Sequence, residues 1–269
     1  MLKPKKCEEV KENEHDLSPK QSASVLCKYM KKLDYLKEIL SNRAIFPRYY
    51  EESIEYLGIN GLDKIAFPMV CFCDINFSKI DSHVEYYGEY GICLTKKWGV
   101  RKGIQPIQYV NPQSNLIREF SDLFAPNFNR EMSDVEKKHK DYLVHQLLYM
   151  KPIFGQMRRN EDYHEKIFMD EREWRWIPKV PNNSELPLTI PRGRVGVENA
   201  YQFYSSGIKE VEELWLKFEI EDIVYLTVKN NECRDELIGY ITELDNLSDR
   251  ERLILISKII VYEDMKKDW

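Results

Sequence analysis

The sequence predicts a single α+β domain with a mixed, mainly antiparallel sheet and flanking helices. Strand-like and helix-like patterns alternate irregularly along the chain, unlike the regular βαβ order of a doubly wound parallel sheet. The chain has 269 residues, of which 43% are hydrophobic. This is enough to build one sizeable core without disulfide bonds.

In the first half of the chain, apolar runs predict strands and leucine spacing predicts a helix. Leu33, Leu36 and Leu40 recur at helical spacing and predict a helix after the first strand. Ser78 has the character of an N-cap for a second helix, which Gly88 would end. The strands predicted in this half, from their apolar and β-favouring residues, are Val25–Tyr29, Ile65–Asp74, Gly91–Thr95 and Ile107–Val110.

In the second half, two capping boxes mark helix starts. Ser133-Asp-Val-Glu136 opens a long helix that stops before Pro152, and Ser248-Asp-Arg-Glu251 opens another. Further helices are predicted over Ser114–Phe124 and Glu232–Ile241. The predicted strands are Phe168–Ile177, Leu216–Ile220, Ile223–Val228 and Ile259–Tyr262.

Composition and charge exclude several classes of protein. The formal net charge of −5 argues against a dedicated duplex-DNA binder, whose phosphate contacts need a basic surface. The longest apolar run, Ile65–Cys73, is far short of the ~20 residues that a membrane-spanning helix needs. With no apolar signal segment at the start, a cytoplasmic protein is expected. The six irregularly spaced cysteines are then expected to be free thiols.

Residues 1–20 are predicted to form a tail outside the domain, which would span residues 21–269. Ten of these twenty residues are charged and few are apolar, so the segment cannot bury enough surface to fold alone. We expect it to be mobile or to dock on another chain.

The segment Asp170-Glu-Arg-Glu-Trp-Arg-Trp176 contains the densest candidate site. On a strand, the two-residue period places Glu171, Glu173 and Arg175 on one face. Two carboxylates beside a guanidinium perturb each other's proton affinity, which is typical of a functional site. The alternative is a salt-bridge ladder on a solvated face.

Other candidate residues are weaker. Lys96, Lys97, Arg101 and Lys102 form a predicted basic loop that could bind a phosphate or nucleic acid. Cys71-Phe-Cys-Asp74 and the nearby His83 lack the second ligand pair of a zinc site, so no metal is predicted. His164 lies just before the acidic segment and is the histidine that we would substitute first.

Three stretches together resemble one known family. They are Leu36–Leu40 with Phe46-Pro-Arg48; Pro68–Ile75 continuing to His83 and Tyr87–Ile92; and Lys151-Pro152 and Gly155 with Phe168–Pro178. The sequence resembles the AbiGi family of abortive-infection phage-resistance proteins over roughly residues 25–262. The resemblance implies an antitoxin without a cofactor, which would act in phage defence on a nucleotidyltransferase-like toxin protein.

A second resemblance implies an enzyme. Glu171-x-Glu173 is similar to the Glu-x-Glu element of ADP-ribosyltransferases, in which the second acid stabilises an oxocarbenium-like transition state of NAD. There an early strand supplies His or Arg, where this chain has Lys28, and a middle strand supplies Ser-Thr-Ser, where it has Cys71-Phe-Cys73. The sequence therefore leaves three hypotheses open: an antitoxin, an NAD-dependent toxic effector, and a nucleic-acid-binding regulator.

Overall fold

The computed structural model describes residues 22–124, 133–159, 162–181, 184–190, 192–197 and 199–267. Within these ranges the helices are α1 Leu33–Asn42, α2 Asp81–Tyr87, α3 Lys96–Arg101, α4 Asn115–Phe124, α5 Asp134–Leu148, α6 Ala200–Lys209, α7 Asn231–Glu243, α8 Asp249–Ser257 and α9 Tyr262–Met265. The strands are β1 Val25–Met30, β2 Ala44–Ile45, β3 Arg48–Ser53, β4 Lys64–Cys73, β5 Tyr90–Thr95, β6 Gln105–Pro106, β7 Gln108–Val110, β8 Met150–Pro152, β9 Phe154–Arg159, β10 Asp162–Ile167, β11 Glu173–Trp176, β12 Leu216–Lys217, β13 Ile223–Val228 and β14 Ile259–Val261. The predicted tail over residues 1–20 lies outside the described residues.

The main sheet confirms the predicted α+β class. Its strand order is β14-β13-β5-β1-β4-β11-β6, and β3 also pairs with β4. The β13–β14 pair is parallel and the remaining pairs of this sheet are antiparallel. The sheet is therefore mixed and mainly antiparallel, as the short strands and varied connections predict.

Successive side chains of the central strands point to opposite faces of the sheet, and each face is covered by its own hydrophobic core. Leu26 and Leu94 are opposite each other on β1 and β5 and are fully buried in the larger core, to which α1 and α7 contribute Leu36 and Leu237. The neighbouring register pair Cys27–Cys93 belongs to a smaller core on the other side, which α2 covers. Because one residue of shift exchanges the two faces, this register also fixes which side chains reach the site.

Local signals place most elements correctly. Both predicted capping boxes form, at Ser133 with Glu136 and at Ser248 with Glu251. The Ser78 N-cap is wrong: Ser78 lies in a 3-10 turn, and α2 begins after Ile80. No helix among the described residues is long and apolar enough to cross a membrane.

The predicted basic loop at residues 96–102 is also wrong, because most of it is the helix α3. The Thr95 side chain accepts a hydrogen bond from the backbone N–H of Trp98 and caps this helix. Trp98 is fully buried in the larger core and anchors the helix against the sheet. The basic segment therefore forms a helix and not a loop, because Trp98 within it is buried in the core.

Candidate functional site

The candidate site lies between β1, β4 and β11, which are neighbours in the sheet. One register row crosses all three strands, since Cys27 is opposite Cys73 and Cys73 is opposite Glu173. Cys27 and Cys73 are the one residue pair by which β1 and β4 are joined among the described residues. A cavity of about 290 Å³ lies beside this pair and is lined by residues of β1 and β4; we call it the inner chamber. Its titratable lining residues are Lys28, Tyr29, Tyr50, Glu51, Glu52, Cys71, Cys73, His83, Tyr87, Lys151, Glu171 and Glu173.

Glu173 forms the floor of this chamber as a buried, ionised carboxylate. Its side chain accepts a hydrogen bond from Arg175 Nε at 2.8 Å on Oε1 and one from Lys151 Nζ at 3.2 Å on Oε2. Burial alone would raise the pKa of Glu173, but the Arg175 guanidinium and the Lys151 ammonium outweigh it and lower this pKa to about 2. The group is therefore an anion at neutral pH.

Glu171 reaches the same cluster by a different route from the predicted one. The segment Phe168–Glu171 is a 3-10 turn, Arg172 has a left-handed backbone (φ 43°), and β11 begins only at Glu173. The predicted strand face thus holds for Glu173 and Arg175, whereas Glu171 arrives from the turn.

The Glu171 carboxylate is also fully engaged. It accepts hydrogen bonds from Lys166 Nζ at 2.6 Å, from Lys151 Nζ at 2.9 Å and from the Tyr87 hydroxyl. Burial raises its pKa, but Lys151 and Lys166 outweigh burial and lower it. Its side chain is 5% exposed and that of Glu173 is 7% exposed. The alternative of a solvated salt-bridge ladder is therefore wrong, because the cluster is buried.

Arg175 pairs with Glu173 but is not among the residues that line the inner chamber. It is fully buried, donates to the backbone oxygen of Leu148 at 2.6 Å, and contacts Glu52 Oε1 at 3.3 Å. Replacing it would remove one of the two counter-ions of Glu173, so it is a positioning residue for that carboxylate.

Two ring side chains that the sequence did not assign to the acidic site, His83 and Tyr87, form one wall. They lie one turn apart on α2 with ring centroids 4.4 Å apart, and Tyr29 packs edge-on against His83 at 5.8 Å. Burial lowers the pKa of His83 to about 4, so the imidazole is neutral at pH 7. The spacing of four residues on a predicted helix was the signal that could have paired them.

A second cavity of about 540 Å³, the outer chamber, adjoins the inner one and shares five lining residues with it. The shared residues are Lys28, Tyr29, Tyr50, Tyr87 and Met157. Lys28, the residue that matches the early-strand position of the transferase resemblance, therefore lies at the junction of the two chambers. Glu171, Glu173 and Lys28 meet at one cleft.

The other sequence candidates lie away from this cleft. Lys96 is buried and its ammonium donates to Asp74 at 2.8 Å, while Arg101 pairs with Asp222 at 2.7 Å. Lys97 and Lys102 are exposed and, like the first two, line neither chamber. His164 is exposed on β10 and pairs in register with Met157. These residues do not form a common groove with the acidic cluster.

The cysteines depart from the expectation that all six are free. Cys27 and Cys93 form a disulfide between β1 and β5, because the register places them directly opposite each other. Cys71 and Cys73 are free, and burial raises the pKa of Cys73 to about 12. In the described part of the chain, no group of three or more histidine, cysteine or acidic side chains could hold a metal ion.

Comparisons with known proteins point to one family. Residues 43–229 match the family described as "Putative abortive phage resistance protein AbiGi, antitoxin". The chain is also similar to the abortive phage resistance protein AbiGi of Lactococcus lactis subsp. cremoris, with 35% identity over 249 residues that cover 84% of this chain and 100% of that protein. No solved structure gives a significant match to the chain.

Proposed function

Because this chain belongs to the AbiGi family of abortive phage resistance proteins, we propose that it is the antitoxin-like member of a toxin–antitoxin pair. The family description names an antitoxin. The partner in this proposal is the nucleotidyltransferase-like toxin that the family resemblance implies, and the interaction is between two proteins.

The structural support for this proposal is that the chain's own cations already pair with the carboxylates of the acidic cluster, Glu171 and Glu173. Each oxygen of Glu171 and Glu173 accepts a hydrogen bond from a lysine, arginine or tyrosine side chain. Carboxylates engaged in this way hold β8 and β11 together, since Lys151 belongs to β8 and Glu173 to β11. A structural role of this kind needs no substrate and suits a binding protein.

Co-expression tests the proposal. The chain alone should leave bacterial growth unchanged, and its co-expression with the toxin should restore growth. Glu173→Gln keeps the size of the side chain and should still neutralise the toxin, as should the matched control Glu165→Gln at an exposed position of β10. A thermal melt of each variant separates loss of fold from loss of neutralisation. Toxicity of the wild-type chain alone would overturn the proposal.

A second candidate function, that of an ADP-ribosyltransferase-like effector, is favoured by a specific observation. The three elements of that resemblance, at Lys28, Cys71–Cys73 and Glu173, lie on adjacent strands and line one chamber. NAD would be the co-substrate. An ionised Glu173 would stabilise the cationic ribosyl transition state electrostatically, once a ligand hydroxyl displaced one of its lysine or arginine contacts.

The two candidates differ in an assay that needs no partner. In lysate, the enzyme would consume NAD, and Glu173→Gln would lower this rate by ~10²–10³, the usual effect of losing one electrostatic group in the transition state. Glu165→Gln should leave the rate unchanged. Absence of both NAD consumption and toxicity from the wild-type chain would exclude the effector.

A further inference from the structure

The outer chamber differs in charge from the rest of the chain. Five lysine or arginine side chains line it, against one carboxylate, although the chain as a whole carries a net charge of −5. The five are Lys28, Lys31, Lys32, Arg48 and Lys209, and the carboxylate is Glu38. A concave concentration of one charge sign raises the local concentration of ligands of the opposite sign.

Most of these cations are available to a ligand. Glu38 pairs with Lys209 alone, and no carboxylate of the described residues forms an ion pair with Lys28, Lys31 or Arg48. Lys28 is partly buried at the junction of the chambers. Since a partly buried cation loses hydration, an anionic ligand beside Lys28 would restore a favourable interaction.

Aromatic rings stand beside these cations. Lys32 Nζ lies 5.9 Å and the Arg48 guanidinium 5.5 Å from the centre of the Tyr35 ring. Tyr35 and Tyr50 are large rings of this lining that remain 36% and 43% exposed. Exposed rings beside cations are typical of surfaces that bind nucleotides. Tyr50 lines both chambers, so it can stack a base whose phosphate lies in the outer chamber.

The inner chamber has the opposite charge balance, because four glutamates (Glu51, Glu52, Glu171 and Glu173) and only two lysines (Lys28 and Lys151) line it. Carboxylates therefore outnumber cations in the inner chamber, and cations outnumber carboxylates in the outer chamber. This difference in charge favours a ligand whose anionic end lies in the outer chamber and whose other end, with hydrogen-bond donors, lies in the inner chamber. A nucleotide has this design, with a phosphate at one end and ribose hydroxyls and base N–H groups at the other.

We propose that the cleft binds a nucleotide, with its phosphate among Lys28, Lys31 and Arg48 and its nucleoside toward the glutamates of the inner chamber. This binding site is additional to the toxin pairing proposed above and rests on the charge and shape of the cleft. The combined cavities fall within the size of ordinary small-ligand sites, roughly 300–1,000 Å³. A free nucleotide and a nucleotide within a single strand share this chemistry.

Calorimetric titration of the full chain tests the proposal with AMP, NAD, a short oligodeoxythymidine and inorganic phosphate as probes. Lys28→Met should weaken binding of the nucleotide probes about tenfold or more, since a charge-assisted contact is lost. Arg48→Met should act in the same direction. Lys79→Met is the matched control, because Lys79 is exposed and lines neither chamber. Thermal melts confirm that each variant is folded.

The results distinguish a free nucleotide from a nucleic-acid strand, and some of them would overturn the proposal. Equal affinity per site for AMP and the oligonucleotide indicates a free nucleotide, and much tighter binding of the oligonucleotide indicates a strand. Binding of no probe, binding of phosphate as tight as that of AMP, or binding that Lys28→Met leaves unchanged would overturn the proposal. Because toxin neutralisation is scored separately, a chain that neutralises the toxin but binds no nucleotide contradicts this inference alone.

Discussion

Cys27 and Cys93 face each other across the antiparallel strands β1 and β5 and are joined by a disulfide bond. They are 66 residues apart in the sequence, so the bond removes much of the conformational freedom of the unfolded chain. Cys73 lies opposite Cys27 on its other side, yet burial raises the pKa of its thiol to about 12. A protonated thiol is a poor nucleophile, so we expect Cys73 to exchange slowly with the disulfide at neutral pH.

The first prediction concerns this bond. Cys93→Ser should lower the free energy of unfolding by roughly 2–4 kcal/mol, the usual contribution of a disulfide that closes a long loop. Urea denaturation without reductant measures the difference. Adding reductant should bring the wild type to the midpoint of the variant and leave the variant unchanged. A wild-type midpoint that is insensitive to reductant would contradict the prediction.

The second prediction concerns Lys151, which joins Glu171 and Glu173. Lys151→Met leaves two buried carboxylates with one fewer counter-ion, and breaking a buried ion pair costs about 3–5 kcal/mol. Lys166 and Arg175 remain as partners, so we expect a loss near the lower end of that range.

Chemical denaturation of Lys151→Met measures this loss. The matched control is Lys217→Met, because Lys217 is half exposed and pairs with the exposed Glu212. An exposed pair contributes about 0–1 kcal/mol. Equal stability of the two variants would show that the acidic cluster does not depend on Lys151.

Helix starts and strands were predictable because their signals are local. Ser133 and Glu136 form a capping box from four consecutive residues, and the apolar run Ile65–Asp74 lies almost entirely within β4. Such patterns depend on backbone hydrogen bonding and on burial of one continuous segment. No knowledge of the rest of the chain is needed to find them.

The candidate site was predictable only in part because its contacts are distant in sequence. Glu173 was selected from its neighbours, but Lys151 was noted only within a family motif, and nothing local showed that it pairs with Glu173, 22 residues away. The turn that brings Glu171 into place depends on the left-handed backbone of Arg172, a conformation unusual for arginine. The pairing of Lys96 with Asp74, 22 residues away, likewise removed a lysine that looked accessible in the sequence.

The third prediction concerns Gly88, which follows α2 with φ 108°. A Cβ atom at this position would lie 2.2 Å from the Met30 carbonyl oxygen, so Gly88→Ala must displace α2 or β1. We expect a loss of more than about 2 kcal/mol in the free energy of unfolding.

Gly103→Ala is the control for Gly88→Ala. Gly103 also has a positive φ, 72°, but a Cβ there meets no atom within 4 Å. The control should lose only about 1 kcal/mol from backbone strain. Urea midpoints of both variants give the comparison. If both lose the same amount, the close approach of α2 to β1 is not rigid.

The fourth prediction is that His83 makes the protein less stable as the pH falls. Burial lowers the pKa of His83 from its ordinary value of 6.5 to about 4, so the folded form binds the proton less tightly than the unfolded form. Unfolding then takes up a proton between pH 6.5 and pH 4, and the free energy of unfolding falls across that window by at most about 3 kcal/mol. Below the ordinary glutamate pKa of 4.5, Glu173 adds a second loss, since its pKa is lowered to about 2 and its stabilisation disappears as the pH falls toward that value.

Urea denaturation at pH 7, 5.5 and 4.5 tests this window. His83→Gln removes the titrating group but keeps a polar side chain beside Tyr87, so its stability should change much less with pH over this range. His164→Gln is the control, because His164 is exposed on β10 and its replacement should retain the wild-type slope. If His83→Gln and the wild type show the same slope between pH 7 and 4.5, burial does not hold the His83 imidazole neutral, and acid sensitivity in this range must come from other groups.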